Sequence, residues 1–196
     1  MLTEKELEKL RKDIVFSATL CGYPMTFNST WGIFSPRAID EGTELLLKYI
    51  EVNEDDDCLD LGCGYGPLGL TLAKLSPKGH TTLVDKDFKA IEYSNKNAEV
   101  NNISNATALL SNGFDQISDK TFDIVVSNIP AKVGNEMLSL FLHDAYRQLN
   151  PSGKLYIVTI NGLRDYMKRN FKEVFGNYKK LKQGKNYTVA MAQKES

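Results

Sequence analysis

A chain of 196 residues, 42% apolar and 25% charged, suits one globular α/β domain with a sizeable core. Its net charge of −1 and pI of about 6.2 lack the basic excess of a dedicated nucleic-acid binder, and no apolar run approaches the length of a membrane span. The opening run MLTEKELEKLRKD has no signal-peptide core. Cys21, Cys58 and Cys63 form neither a disulfide framework nor a zinc motif, so the chain reads as reduced, cytoplasmic and metal-free.

Residues 1–12 read as a short charged helix, and 14–34 as a hairpin around Gly22 and Pro24. Together, residues 1–34 make an N-terminal extension packed on a domain of residues 35–196. Ser35-Pro36 reads as a helix start ahead of Ile39, Leu45, Leu46, Leu47 and Ile50. Strands and helices then alternate. Cys58–Leu61 is a strand, Leu68–Leu75 a helix, Thr81–Val84 a strand and Phe88–Asn101 a helix. Ala106–Leu110 and Phe122–Val126 are strands, the latter apolar enough to be buried on both faces. Asn135–Leu149 is a helix and Asn150-Pro151-Ser152-Gly153 a turn. Leu155–Ile160 is a strand, Leu163–Phe175 a helix, and Tyr178–Lys182 with Tyr187–Ala192 a terminal hairpin. This alternation implies an α/β fold, a doubly wound and mostly parallel sheet with ligands at the carboxyl ends of its strands.

The first such loop carries Asp60, Gly62, Cys63, Gly64, Gly66 and Gly69. Its glycines allow a tight turn and close approach of a ligand. The spacing from Gly64 to Gly69 also fits a dinucleotide fingerprint, but Asp60 would repel a pyrophosphate. A carboxylate at the lip of this turn attracts the ammonium and sulfonium of S-adenosylmethionine instead. Asp85 ends the next strand, where it can bind both ribose hydroxyls; capping the following helix is the alternative. In the third loop Asn112 and Gly113 can meet the adenine, with Phe114 on the ring, or simply form an Asn-Gly turn.

The fourth loop, Ser127-Asn128-Ile129-Pro130-Ala131, follows the buried strand. The Asn128 oxygen can accept from an amine, and its NH2 can donate to cofactor or substrate. Asn128 and the carbonyl of Ile129 can together orient an exocyclic amine, with Pro130 stiffening the backbone; an Asn-x-Pro turn ending a strand is the alternative. Upstream, residues 27–35 can form a lid. Phe34 is its candidate cofactor contact, while Trp31 is expected to pack the hairpin on the sheet. Eight Lys and Arg between Arg164 and Lys185 make either a solvated helix face or an RNA contact.

The runs Trp31–Leu47, Leu59–Gly69 and Ser127–Pro130 resemble the small methyltransferase-domain family, and the similarity extends over about residues 14 to 192. That family includes the enzymes that make N2-methylguanosine in ribosomal RNA, together with stand-alone single-domain relatives. The resemblance implies a Rossmann-like seven-stranded sheet with an antiparallel last strand. It also implies cofactor contacts at Asp60, Gly62, Gly64 and Asp85, and the target amine at Asn128 and Pro130. The family's usual Asn-Pro-Pro-aromatic run is here Asn128-Ile129-Pro130-Ala131, so Ile129 and Ala131 line the substrate side without a stacking ring worth about 1–3 kcal/mol per base. Asn112 stands where aspartate is common. The expected activity is methylation of guanine N2 in ribosomal or transfer RNA. A small-molecule or protein methyltransferase, and a non-catalytic cofactor-binding subunit, are the alternatives. The oligomeric state is left open.

Overall fold

The computed structural model describes residues 2–195. Helix α1 (Glu4–Arg11) leads into strands β1 (Ile14–Leu20) and β2 (Tyr23–Ser29), which pair antiparallel. None of the α1 residues is buried. The main sheet follows: β3 (Cys58–Leu61), β4 (Thr81–Asp85), β5 (Ala106–Leu110), β6 (Phe122–Asn128), β7 (Leu149–Ile160), β8 (Lys179–Gln183) and β9 (Tyr187–Gln193). Helices α2 (Glu41–Leu47), α3 (Pro67–Leu75), α4 (Phe88–Val100), α5 (Asn135–Gln148) and α6 (Arg164–Phe175) alternate with these strands.

The seven strands lie in the order β5-β4-β3-β6-β7-β9-β8. Pairs from β5 to β7 are parallel, while β9 is antiparallel to both β7 and β8. The last strand alone therefore runs against the rest, in the Rossmann-like arrangement expected. The chain moves outward from β3 to β5, then returns to β6 on the other side. This reversal opens a crevice at the carboxyl ends of β3 and β6, where ligands of such sheets bind.

Strand alternation divides the core in two. On one face Cys58, Leu83, Ile124, Val126 and Tyr156 pack with α2, α3, α4 and the hairpin. On the other, Leu59, Leu61, Val84, Val125 and Ile157 meet Leu138 and Leu142 of α5 and Met167 and Phe171 of α6. The interior strand β3, between β4 and β6, is buried throughout.

Three local expectations are corrected. The helix expected at Ser35-Pro36 begins only at Glu41, because Asp40 is the stronger cap: its carboxylate accepts from the Gly42 and Thr43 amides. Ser35 instead takes a left-handed φ of 48° and donates its hydroxyl to Ala38 O. The strand expected to stop at Val126 continues through Asn128, paired with Val158. Residues 150–153 are not a connecting turn but an irregular stretch inside β7. There the register jumps from Phe122↔Leu149 to Ile124↔Lys154, with φ 64° at Ser152.

Candidate active site

The glycine turn after β3 is held by the neighbouring strand. Gly62 N and Cys63 N both donate to Val84 O, at 2.8 and 3.0 Å, and Gly66 N donates to Cys63 O. Gly62 and Gly64 have φ of 79° and 57°, a region that a side chain disfavours. A Cβ on Gly62 would meet nothing within 4 Å, and one on Gly64 only Ile33 at 3.9 Å. The backbone there is open to a ligand. Gly66 differs. It is buried where α3 begins, and a Cβ would press on Leu70 and Ser94 at 3.1 Å, so its small size serves packing.

Asp60 is not at the lip of the turn. It lies beneath it, 1% exposed, because β3 is an interior strand, paired on both edges, and directs this side chain against α3. Its Oδ2 accepts from Gly69 N at 2.7 Å, while its Oδ1 is buried without a hydrogen-bond partner among the described residues. Burial, with the nearby Asp85 carboxylate adding to it, pushes the Asp60 carboxyl up to about 7. Cys63 is also turned inward. Its thiol lies within 3.5 Å of Ser94 Oγ, and burial raises it well above its ordinary range, so only its backbone can meet a ligand.

Asp85, half-buried at the end of β4, accepts from Gly64 N at 3.0 Å and from Asp87 N at 3.0 Å. Asp87, not Asp85, caps α4, through Lys89 N. The carboxylate of Asp85 is thus fixed against the glycine turn, with acceptor capacity to spare for hydroxyls. Beyond β5, Asn112 is exposed and Gly113 has φ 60°. Phe114 is 4% exposed in the core, which removes it as a ring for adenine to stack on.

The segment before α2 lies beside this turn. Tyr65 donates its hydroxyl to Ser35 O and Ala38 O, at 3.2 and 3.1 Å, and Ile33 is buried. Phe34 is 66% exposed. Trp31 does not pack on the sheet as expected. It is 42% exposed, with the Arg37 guanidinium 4.4 Å from its ring centre.

Asn128 stands where β6 leaves the core, half-buried. Its Nδ2 donates to Asp40 Oδ2 at 2.8 Å and to Thr43 Oγ1 at 3.1 Å. Neighbouring Ser127 donates its hydroxyl to Leu61 O at 2.7 Å, tying the ends of β6 and β3 together. Ile129 puts its side chain into the core and its amide on Val158 O, leaving its carbonyl as the group it can offer a substrate. Pro130 and Ala131 are exposed.

In the sequence, Asp40 and Thr43 belong to the Asp-x-Gly-Thr portion of the family-like run Trp31–Leu47, which carries the resemblance without assigning them, or Tyr187, a role at the site. Asp40 also accepts the Tyr187 hydroxyl through Oδ1 at 3.1 Å. The run Asp40-Glu41-Gly42-Thr43 was the available signal, but locally it reads only as a helix cap. A cavity of about 490 Å³ lined by Ser152, Asn177, Met191 and Gln193 lies at the opposite ends of the strands and shares no residue with this cluster. Among the described residues no three His, Cys, Asp or Glu gather to hold a metal, and no helix is long and apolar enough to cross a membrane.

The family model described as the methyltransferase small domain matches residues 24–191. YbxB of Bacillus subtilis, an uncharacterized protein, is 35% identical over 158 residues, covering 80% of this chain and 78% of YbxB. Ribosomal RNA small subunit methyltransferase C of Hamiltonella defensa is 34% identical over 165 residues, covering 82% of this chain and 48% of that enzyme. The T. thermophilus 16S rRNA N2 methyltransferase RsmC, solved with AdoMet and guanosine, superposes with a TM-score of 0.85 at 30% identity, over 93% of this chain and 51% of that one. This chain thus spans about half the length of the ribosomal enzymes it matches. With the family model covering most of its length and such relatives beside it, the chain belongs to the methyltransferase small domain family.

Proposed function

We propose that this methyltransferase uses S-adenosylmethionine to methylate an exocyclic base amine in RNA, with guanine N2 of ribosomal RNA as the target. One observation carries the reading: Asn128, at the end of β6, has both amide hydrogens engaged by the protein and its Oδ1 left over as an acceptor. The ribosomal relatives, one of them solved with guanosine, support a base amine as the group that this acceptor meets.

The residues suit the cofactor. Gly62 and Gly64 leave open space over their backbone, and Asp60 keeps a buried oxygen below them without a partner among the described residues. Gly62, Cys63 and Gly64 would seat the cofactor through their backbones. Asp85 would take the ribose hydroxyls, and Asn112 and Gly113 the adenine edge, with Phe34 beside them. Gly66 would shape the turn from below. Asp60 would favour the cationic end at a distance, through its charge. When bound, S-adenosylmethionine supplies a methyl group on a cationic sulfur.

At the reacting end, Asn128 Oδ1 and the carbonyl of Ile129 would accept the two amine hydrogens and turn the nitrogen lone pair toward the methyl carbon. No strong base is needed, because the nitrogen can lose its proton to water after attack. Catalysis by these residues would be chiefly positioning. Pro130 would limit backbone motion at that point. Ala131 brings no ring to stack on the base, which favours, as a second reading, an amine of a protein side chain or small molecule.

The test is tritiated methyl transfer from S-adenosylmethionine into total RNA, protein and small-molecule fractions, with 16S, 23S and transfer RNA then separated. Label in ribosomal RNA, digested to N2-methylguanosine, supports the proposal. Label confined to protein or metabolites supports the second reading, and cofactor binding without transfer makes the chain a non-catalytic subunit. The Asn128→Ala variant should lose transfer while keeping cofactor affinity; equal loss of both returns Asn128 to a structural role.

A further inference from the structure

Asp40 joins three segments that are far apart in the chain. Its Oδ2 accepts from Gly42 N at 2.9 Å, Thr43 N at 3.3 Å and Asn128 Nδ2 at 2.8 Å, and its Oδ1 accepts from the Tyr187 hydroxyl at 3.1 Å. Gly42 lets these parts close up: a Cβ there would sit 2.8 Å from Asp40 Oδ2 and 3.0 Å from the Tyr187 ring. Burial and the Asp40 charge both keep the Tyr187 phenol above its ordinary range, so it stays a protonated donor.

This network dictates how Asn128 can face a substrate. A carboxylate accepts only, so the Asn128 atom against Asp40 is nitrogen, and the flipped amide would set oxygen against oxygen. An amide nitrogen carries two hydrogens; one goes to Asp40 and the other to Thr43 Oγ1. Asn128 therefore has no hydrogen left to donate and presents only Oδ1.

We propose that Asp40, assisted by Thr43, is a positioning residue for methyl transfer. It locks the Asn128 amide with its oxygen toward the target, and its charge strengthens that oxygen as an acceptor. This rests on the function proposed above and restricts the substrate atom. The site takes a nitrogen that still bears hydrogen, such as an exocyclic amine, and rejects a ring nitrogen or carbonyl oxygen that offers only lone pairs.

The test separates this role from helix capping. Asp40→Ser keeps an N-cap oxygen but is too short to reach Asn128; Asp40→Asn can cap the helix and still present an oxygen to Asn128. With 16S rRNA lacking N2-methylguanosine as substrate, Asp40→Ser should lower kcat by about 10²-fold. KM for both substrates and the Kd for S-adenosylmethionine should stay within about twofold of wild type, as expected for an interaction used only in the transition state. Asp40→Asn should keep kcat within about tenfold. An unchanged kcat in Asp40→Ser, or a fall matched by equal loss of cofactor affinity, overturns the proposal. A second readout needs no reaction. The side-chain NH2 resonances of Asn128, assigned by their absence in Asn128→Ala, should exchange slowly with solvent in wild type and rapidly in Asp40→Ser. Fast exchange in wild type overturns the proposal whatever the activity. Slow exchange in an enzyme that labels no RNA leaves the orientation standing and removes the RNA reading.

Discussion

Asn97 of α4 grips the backbone of Asn28 at two points: its Oδ1 accepts from Asn28 N at 2.7 Å, and its Nδ2 donates to Asn28 O at 2.9 Å. One helical turn on, Asn101 repeats the bridge with Thr26, at 2.8 and 2.7 Å. Two side-chain amides spaced i,i+4 thus serve alternate residues of β2, matching the helix repeat to the strand repeat. The edge of the hairpin is paired, although among the described residues no third strand lies beside it. The same Asn97 Nδ2 reaches Tyr65 O at 2.9 Å, so the hairpin and the glycine turn share one anchor.

Removing that anchor should be costly. Asn97→Ala leaves the buried Asn28 amide and two carbonyls without these partners, and about 2–4 kcal/mol of stability should be lost. Urea denaturation measures it, and hydrogen exchange should quicken at Asn28 before the main sheet opens. A loss under about 0.5 kcal/mol would mean that water replaces the bridge.

Gly69 is closed to any side chain. A Cβ there would lie 2.5 Å from Leu83 Cγ and 3.0 Å from Asp60 Cβ. Gly69→Ala should cost about 1–3 kcal/mol by overpacking. In a double-mutant cycle with Leu83→Ala much of that cost should vanish, since the second change makes room; strict additivity would place the strain elsewhere.

The Asp60 carboxyl, raised to about 7 by burial, should mark the pH profile of the ligand-free protein. Below its unfolded value of 3.8 both states hold the proton, and the native state has its full advantage from this group. Between 3.8 and about 7 the folded state retains a proton that the unfolded state has lost, so stability from this group declines as pH rises, and the loss is complete above about 7. Asp60→Asn should flatten that decline; parallel wild-type and variant curves would show that the group does not titrate there. Cofactor affinity should move the opposite way, rising through pH 7 as the carboxylate gains its charge.

If Asp85 holds the ribose, Asp85→Ala should weaken S-adenosylmethionine binding by about tenfold or more, or about 1.4 kcal/mol. The variant also frees Gly64 N and Asp87 N, so calorimetry should be paired with a thermal melt. Unchanged affinity would make Asp85 a scaffold for the turn alone.

Much of the fold could be read from the chain, because buried parallel strands are continuous apolar runs and their helices keep a 3.6-residue repeat. The errors lie where a local signal had a stronger competitor nearby. Ser35-Pro36 carries a helix-start signature, but Asp40 offers a carboxylate to two amides and wins. Asn150–Gly153 has turn composition, yet β7 absorbs it as an irregularity in register. The positions of the glycine turn, Asp85 and Asn128 at the carboxyl ends of strands are legible in the sequence, because each closes or follows an apolar run. The sequence offers Asp40 only as part of a family-like run and not as a partner of Asn128 and Tyr187, since these lie 88 and 147 residues away, and no local pattern encodes such separations. The inward turn of Asp60 also escaped detection: which face a strand residue takes depends on register against β4 and β6.

The glycine turn is fastened before anything arrives. Val84 O takes two of its amides, Asp85 a third, and Asp60 fixes the helix that follows through Gly69 N. A guest seated there gives up its own freedom of motion but demands little from the host, whose loop entropy was surrendered during folding. Recognition at this turn should therefore resemble a key entering a finished lock, with small changes in backbone mobility between the empty and filled states.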